Sequence, residues 1–453
     1  MAAADSDLRR RFWRLTVLNV LTNVTVPTAS LVDTAILGHL EDIRFLAGVA
    51  LGAIVFEIVF WSFGFLRMAT TGLTAQAVGR RDQVEMHRIL QRSATLALIA
   101  GFALLALRAP IGDLAFGILS GDPGAEDAGR AYYDARVLGA PAALLNFVLL
   151  GWFLGREESR VALAMTVVAN ATNIALDYLF ILRFDWAAYG AGLATTAAEL
   201  AMLATGLAFY LRRREGVGWS LRALRERGPW RAMFGLQGHI LVRTLFLVGT
   251  FAAFTDLSAR LGTETLAANT LLLRILTFAA FFIDGIAFAV ESLAGIFAGE
   301  RASARLKRLI RLALAAALGC AAAFALVVTG APGALFGLLT SHGDLVARAA
   351  DLRWWLAATL LVGSAAYVYD GLFLGLTAGR RLRDAMVVST ALGFLPLALL
   401  ALARRDVHLL WAALLLFMVA RVVTLGLASR QLPGLGVGAS DSSEQRPETE
   451  SSR

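Results

Sequence analysis

Apolar residues in this chain come in runs of twenty or more, separated by short polar breaks. A helix rises about 1.5 Å per residue, so about twenty such residues cross the ~30 Å hydrocarbon layer of a bilayer. Twelve runs are found, over residues 15–38, 45–78, 87–108, 131–155, 159–182, 187–211, 232–258, 265–298, 307–329, 347–375, 383–403 and 407–429. The pattern predicts an all-α polytopic membrane protein with twelve transmembrane helices. The second and eighth runs exceed a straight crossing, which predicts tilt or extension beyond the bilayer.

The breaks alternate in charge. Arginines collect at the N-terminus and in the breaks holding Arg80 and Arg81, Arg156 and Arg160, Arg212 to Arg214, Arg301 and Arg305, and Arg380 and Arg381. The intervening breaks carry Glu41 and Asp42, Asp113 and Asp122, Asp185, Glu264 and Asp344; only Arg404 and Arg405 break the alternation. Lys and Arg favour cytoplasmic loops, so both termini are expected in the cytoplasm. Arg9, Arg10, Arg11 and Arg14 before the first run imitate a signal peptide. The run is longer than a usual signal core and lacks a clean cleavage site, so it reads as a permanent span.

The chain also repeats itself at an offset of 220: Gly79 matches Gly299, Arg81 and Arg88 match Arg301 and Arg308, and GWFLG at Gly151–Gly155 matches GLFLG at Gly371–Gly375. Six spans per half is an even number, so both halves have the same orientation. Two pseudo-symmetric six-helix lobes about an axis along the membrane normal follow. The expected division is an N-terminal segment 1–14, an amino-terminal lobe 15–211, a basic linker 212–231, a carboxy-terminal lobe 232–429 and a polar, disordered tail 430–453.

Polar residues inside the spans are not scattered. In the first, Thr16, Asn19, Asn23, Ser30, Asp33 and Thr34 recur at helical steps, and Pro27 allows a bend. A carboxylate within an apolar span costs roughly 2.5–3.5 kcal/mol, so Asp33 should face protein or a watery cavity. The reading is an ion or proton site; the alternative is a satisfied helix–helix contact. In the fifth span, Thr166, Asn170, Asn173 and Asp177 share one face, and the sixth carries Thr195 and Glu199 one turn apart. Asp33 lies 18 residues beyond Leu15 and Asp177 equally far beyond Ser159, about 27 Å along each helix. Tyr132 and Thr195 fall in the first halves of inward-running spans. All four therefore reach the outer half of the membrane in one lobe, with oxygen donors that suit a proton or a hard monovalent cation.

The second half differs. Asp284 and Glu291 are seven apart on one face of the eighth span, and Asp370 sits in the tenth. Asp256 ends the seventh. Arg67, Arg243, Arg274 and Arg353 are within or near spans and could pair with these acids. Asp284, Glu291, Asp370 and Arg67 are the substrate-cavity candidates; buried ion pairs are the alternative.

Composition narrows the classes. The chain is 58% hydrophobic and 17% charged, and its net charge of +8 is explained by loop arginines rather than by nucleic-acid binding. One cysteine, Cys320, excludes an internal disulfide. None of the five histidines pairs with another at ligand spacing, so neither a metal centre nor an intramembrane enzyme is expected, and no cofactor is.

Several stretches together resemble the multidrug and toxic compound extrusion (MATE) transporters, in their bacterial DNA-damage-inducible protein F branch. They are VPTASLVDTAILGHL at Val26–Leu40, FLRMATTGLTAQAVG at Phe65–Gly79, LGAPAALLNFVLLGWFLG at Leu138–Gly155, IDGIAFAVES at Ile283–Ser292 and YDGLFLG at Tyr369–Gly375. The resemblance runs from about Trp13 to Arg430. It implies twelve helices in two lobes, a bacterial inner (cytoplasmic) membrane, and efflux of amphipathic or cationic compounds driven by H+ or Na+. It implies a coupling network at Asp33, Tyr132, Asn173, Asp177 and Thr195, with Na+, if used, held by Asp33, Asn173, Asp177 and Thr195. Many relatives carry a second proline near the start of helix one; Leu15–Val20 has none. A monomeric antiporter is expected. The competing function is a flippase for lipid-linked intermediates, which would require a strongly basic cavity.

Overall fold

A computed structural model describes residues 2–38, 40, 42–119, 122–213, 219–220 and 224–432, except the side chains at 2–4, 26–31 and 33. The side chains of Pro27 and Asp33, much of the linker and the tail from 433 onward lie outside the described residues.

Among the described residues, eleven helices are long and apolar enough to cross a membrane. A twelfth, α1 (Ala2–Gly38), precedes them. The others are α2 (Ile43–Gly79), α3 (Gln83–Ala106), α4 (Pro123–Gly155), α5 (Ser159–Arg183), α6 (Ala187–Arg213), α7 (Arg227–Leu261), α8 (Thr263–Gly299), α9 (Ser303–Gly330), α10 (Arg353–Gly375), α11 (Gly379–Arg404) and α12 (Val407–Arg430). With no water in the hydrocarbon layer, backbone N–H and C=O groups must pair within each segment, and helices achieve this. Several acidic residues between the spans cap helices. Asp42, Asp82, Asp122 and Asp406 accept from the backbone N–H groups of Arg44, Glu85, Gly124 and His408 at 2.8–3.0 Å.

Four boundaries differ most from those expected. The first helix begins at Ala2, thirteen residues before the first run, so the N-terminal segment is part of it. The tenth run is broken, with Gly343–Asp351 forming a separate helix before Arg353. The helix of the fourth run starts earlier, at Pro123, whose fixed φ suits a first turn. The second run bends at Gly64 between helices Ile43–Phe63 and Phe65–Gly79.

The repeat is visible in atomic detail. Non-glycine residues with left-handed backbone conformation include Arg81 and Arg301 (φ 58° and 56°), Glu157 and Thr377 (60° and 53°), and Asp185 and Arg405 (57° and 52°). Each pair is 220 apart. Such residues are uncommon, so the same strained turns close corresponding helices in both halves. A Cβ added at Gly151 would meet the carbonyl of Arg67 at 2.5 Å, and one at Gly371 would overlap that of Ala287. The same relation links Gly155 to Thr71 and Gly375 to Glu291. Small residues thus seat α4 on α2 in one lobe and α10 on α8 in the other.

The lobes meet where α2 crosses α8. An added Cβ at Gly79 would strike the Ile296 carbonyl, and one at Gly299 the Gln76 carbonyl; these contacts are reciprocal under the repeat. Gln76 Nε2 also donates across the seam to Gly375 O (3.1 Å) and Thr377 Oγ1 (3.0 Å). The start of α1 buries Leu8, Phe12 and Leu15 in the core of the carboxy-terminal lobe. Among the described residues, the hydrogen bonds between lobes lie between this arginine-rich end and mid-membrane, out to Asn23 Nδ2 donating to Phe281 O (3.1 Å) and Arg67 bonding Glu291.

Replacing Gly371 by Ala should lower unfolding stability in detergent by about 1–3 kcal/mol, because a carbonyl on α8 blocks the new methyl. Gly249→Ala, which meets nothing within 4 Å, should not. Equal denaturation midpoints for the two variants would contradict this packing.

Candidate functional site

In the amino-terminal lobe, α1, α4, α5 and α6 converge. Leu37, Tyr132, Ile181 and Ala191 belong to one buried cluster. On helices α1, α5 and α6, the residues one turn deeper are Asp33, Asp177 and Thr195. Asp177 and Asn173 are buried, at 0% and 6% exposure. The stripe on α5 does face α1: Asn170 Nδ2 donates to Thr25 O at 2.8 Å. Thr195 is half-buried, and its hydroxyl donates to Ala191 O (3.0 Å) within its own helix.

The Tyr132 phenol oxygen accepts a hydrogen bond from Arg136 Nη1 at 2.6 Å. The Arg136 guanidinium also lies over Phe56 (4.6 Å) and Phe60 (5.9 Å). These faces stabilise a charge removed from water. Sequence reasoning missed Arg136, although it lies inside an apolar run four residues beyond Tyr132. The rule that flagged Asp33 would have found it. Nearby, Asn146 Nδ2 donates to the Glu199 carboxylate (2.7 Å) and to the Glu199 backbone carbonyl (2.9 Å).

The polar stripe of α1 has two destinations. Thr16 and Asn19 are buried, and Asn23 bonds the backbone of α8. This lower part of the stripe is a lobe–lobe contact, the alternative considered above. Further out on α1, Leu37 is buried in the amino-lobe convergence.

The carboxy-terminal candidates come together, largely as ion pairs. Arg67 Nη1 lies 3.3 Å from Glu291 Oε2 and its guanidinium 4.2 Å from the Phe288 ring, so this pair joins the lobes. Asp370 accepts from both Arg243 and Arg421, the latter at 2.6 Å. Asp284 makes no ion pair within 4 Å among the described residues, but it lies in the field of Arg67, Arg243 and Arg421. Three acids thus face three arginines. Arg421 is only 1% exposed and was missed, although it is the one charged residue within the apolar part of the last span. The other pairings expected from sequence do not form. Arg353 donates to Ala350 O, Arg274 is exposed, and Asp256 pairs with Arg260.

Two six-helix lobes with a charged seam between them and a buried polar convergence in one lobe form the architecture of a multi-pass membrane transporter, not of an enzyme. A family model, MatE, matches residues 19–179 and again residues 240–400, so the chain belongs to the MatE family, with one match in each lobe. It is 37% identical to the DNA damage-inducible protein F of Escherichia coli K12, over 93% of this chain and 92% of that protein. It is 26% identical to a probable multidrug resistance protein NorM of Listeria monocytogenes, over 66% and 68% of the two chains. A solved outward-facing structure of a multidrug resistance MATE family transporter shares the fold, with a TM-score of 0.84 at 20% identity over 93% and 95% of the chains.

Asp370→Asn should destabilise the protein by about 3–5 kcal/mol, since it leaves two buried guanidinium groups without their carboxylate. Asp284→Asn should cost less, because it breaks no direct pair. Thermal unfolding in detergent checks the order, and a reversed order would contradict it.

Proposed function

We propose that this chain is a secondary antiporter that exports amphipathic, mostly cationic organic compounds in exchange for protons, with Asp33 and Asp177 as the coupling carboxylates. The observation that carries the reading is the convergence of α1, α4, α5 and α6 around the fully buried Asp177. A carboxylate at that depth is expensive unless it serves a site. Proton uptake there removes charge, changes how α1 sits against α5, and shifts the balance between access from the two sides.

Arg136 favours the proton over Na+. A hard cation needs a shell of oxygen ligands, and the Tyr132 oxygen already accepts from a guanidinium. A proton needs only a carboxylate. With this phenol engaged, Asn173, Asp177 and Thr195 remain with Asp33 as the donors that would hold Na+.

Glu291 and Asp370 are held by arginines, so Asp284 is the acid left to meet a cationic substrate in the seam. The flippase alternative needs a strongly basic cleft, and the three acids oppose it by matching the three arginines. The MatE family match and the multidrug relatives support export of organic compounds. We place the arginine-rich end and both termini in the cytoplasm of a bacterial inner membrane. One chain supplies both lobes, and it acts as a monomer without a cofactor. A 100 mV potential contributes about 2.3 kcal/mol per charge moved, about 50-fold in accumulation.

Export of a fluorescent cationic dye from proteoliposomes tests this. A proton gradient alone should drive it, a sodium gradient alone should not, and Asp33→Asn or Asp177→Asn should reduce it at least tenfold. Full activity in both variants would overturn the coupling site. Arg136→Gln should remove the guanidinium from the Tyr132 oxygen and introduce a sodium dependence that wild type lacks; a sodium-driven wild type would refute the proton assignment.

A further inference from the structure

An apolar groove of about 650 Å³ opens on the membrane-facing side of the lobe seam. Its walls are Trp13, Val17 and Leu21 of α1 and Ala315 of α9, and its floor is Phe282 and Ile286 of α8. The wall residues are exposed: Trp13 by 47%, Val17 by 54% and Leu21 by 49%. Asp5 and Arg308 close its arginine-rich end with an ion pair of 2.7 Å between α1 and α9. Arg9 stands one turn before Trp13, and Arg311 one turn before Ala315. Both arginines are exposed, and neither makes a hydrogen bond or ion pair among the described residues. From Arg9 to Leu21 the groove follows twelve residues, about 18 Å, close to the ~15 Å of one leaflet's hydrocarbon.

The repeat supplies an internal control. The counterpart of Trp13 in the other seam is Met233, and that of Val17 is Gln237; each is only 3% exposed. The counterpart of Arg311 is Gln91, whose amide is taken up by the linker: Gln91 Nε2 donates to Ser220 O (3.0 Å), and Ser220 N donates to Gln91 Oε1 (3.2 Å). Next to it, Arg92 pairs with Glu226 at 3.4 Å. In that seam the residues in the groove's place are buried, and the chain's own linker occupies the polar mouth. In the α1–α9 seam both remain open.

We propose that this groove binds an anionic phospholipid, with an acyl chain along Trp13, Val17 and Phe282 and the phosphate between Arg9 and Arg311. Guanidinium groups form paired hydrogen bonds to phosphate, and a water-avoiding slot of leaflet depth suits a chain. Because α1 belongs to one lobe and α8 and α9 to the other, the lipid bridges the seam that must part for access from the arginine-rich end.

The full chain in phosphatidylcholine vesicles tests this. Brominated phosphatidylglycerol or brominated phosphatidylcholine is titrated in, and quenching of Trp13 is read as wild type minus Trp13→Phe. Each arginine should favour the anionic lipid about fivefold, so Trp13 should be half-quenched at a roughly tenfold or more lower mole fraction of phosphatidylglycerol. Arg9→Gln with Arg311→Gln should abolish the preference, and Arg9→Lys with Arg311→Lys should retain most of it. Equal quenching by the two lipids, no Trp13 quenching by either, or a preference that survives the double glutamine variant would each overturn the proposal.

Discussion

The architecture depends on the backbone contact between α2 and α8. Gly79 and Gly299 face each other so closely that a Cβ on either would lie 2.9 Å from the other's Cα. Lipid tails are as apolar as leucine, so helices in a membrane gain little from simple burial, and close packing of small residues replaces it. Here that packing is repeated within each lobe, through Gly151 and Gly155 of α4 against α2 and Gly371 and Gly375 of α10 against α8. The same two helices therefore hold their own lobes together and join the lobes to each other, and movement of the lobes must pivot on or open this contact.

Charges are then distributed around that contact according to what neutralises them. In the seam, Glu291 and Asp370 are tied by arginines, and breaking such a buried pair costs more than forming it gains. At the amino-lobe convergence, Arg136 gives its hydrogen bond to a phenol rather than to a carboxylate. The lobes thus share a backbone plan yet carry different chemistry: one holds a neutralised ion-pair network, the other a buried carboxylate set.

The pseudo-symmetry is broken a second time at the arginine-rich end. The linker occupies one seam through Gln91 and Arg92, while the equivalent stretch of α1 and α9 stays open to the membrane. A single chain with a parallel repeat has only one linker, so this difference follows from connectivity. It leaves one seam filled by protein and the other by whatever the bilayer offers.

Much of this was determined by the sequence alone. The apolar runs specify helices because the hydrocarbon layer admits little else, and the 220-residue offset announces two lobes of one orientation. The stripe Thr166, Asn170, Asn173 and Asp177 marked one face of α5 that must find protein partners; the fold sets that face against α1, where Asn170 donates to Thr25 O. Only the tertiary structure decided which charges neutralise one another. The partners Arg67 and Glu291 are 224 residues apart, and Asp370 is 127 residues from Arg243 and 51 from Arg421. Helical periodicity assigns a residue to a face, but Coulomb attraction and hydrogen bonding act over a few ångströms between helices whose order around the seam a one-dimensional pattern does not contain. For the same reason the lower half of the α1 stripe read as part of a site, when folding set it against the backbone of α8.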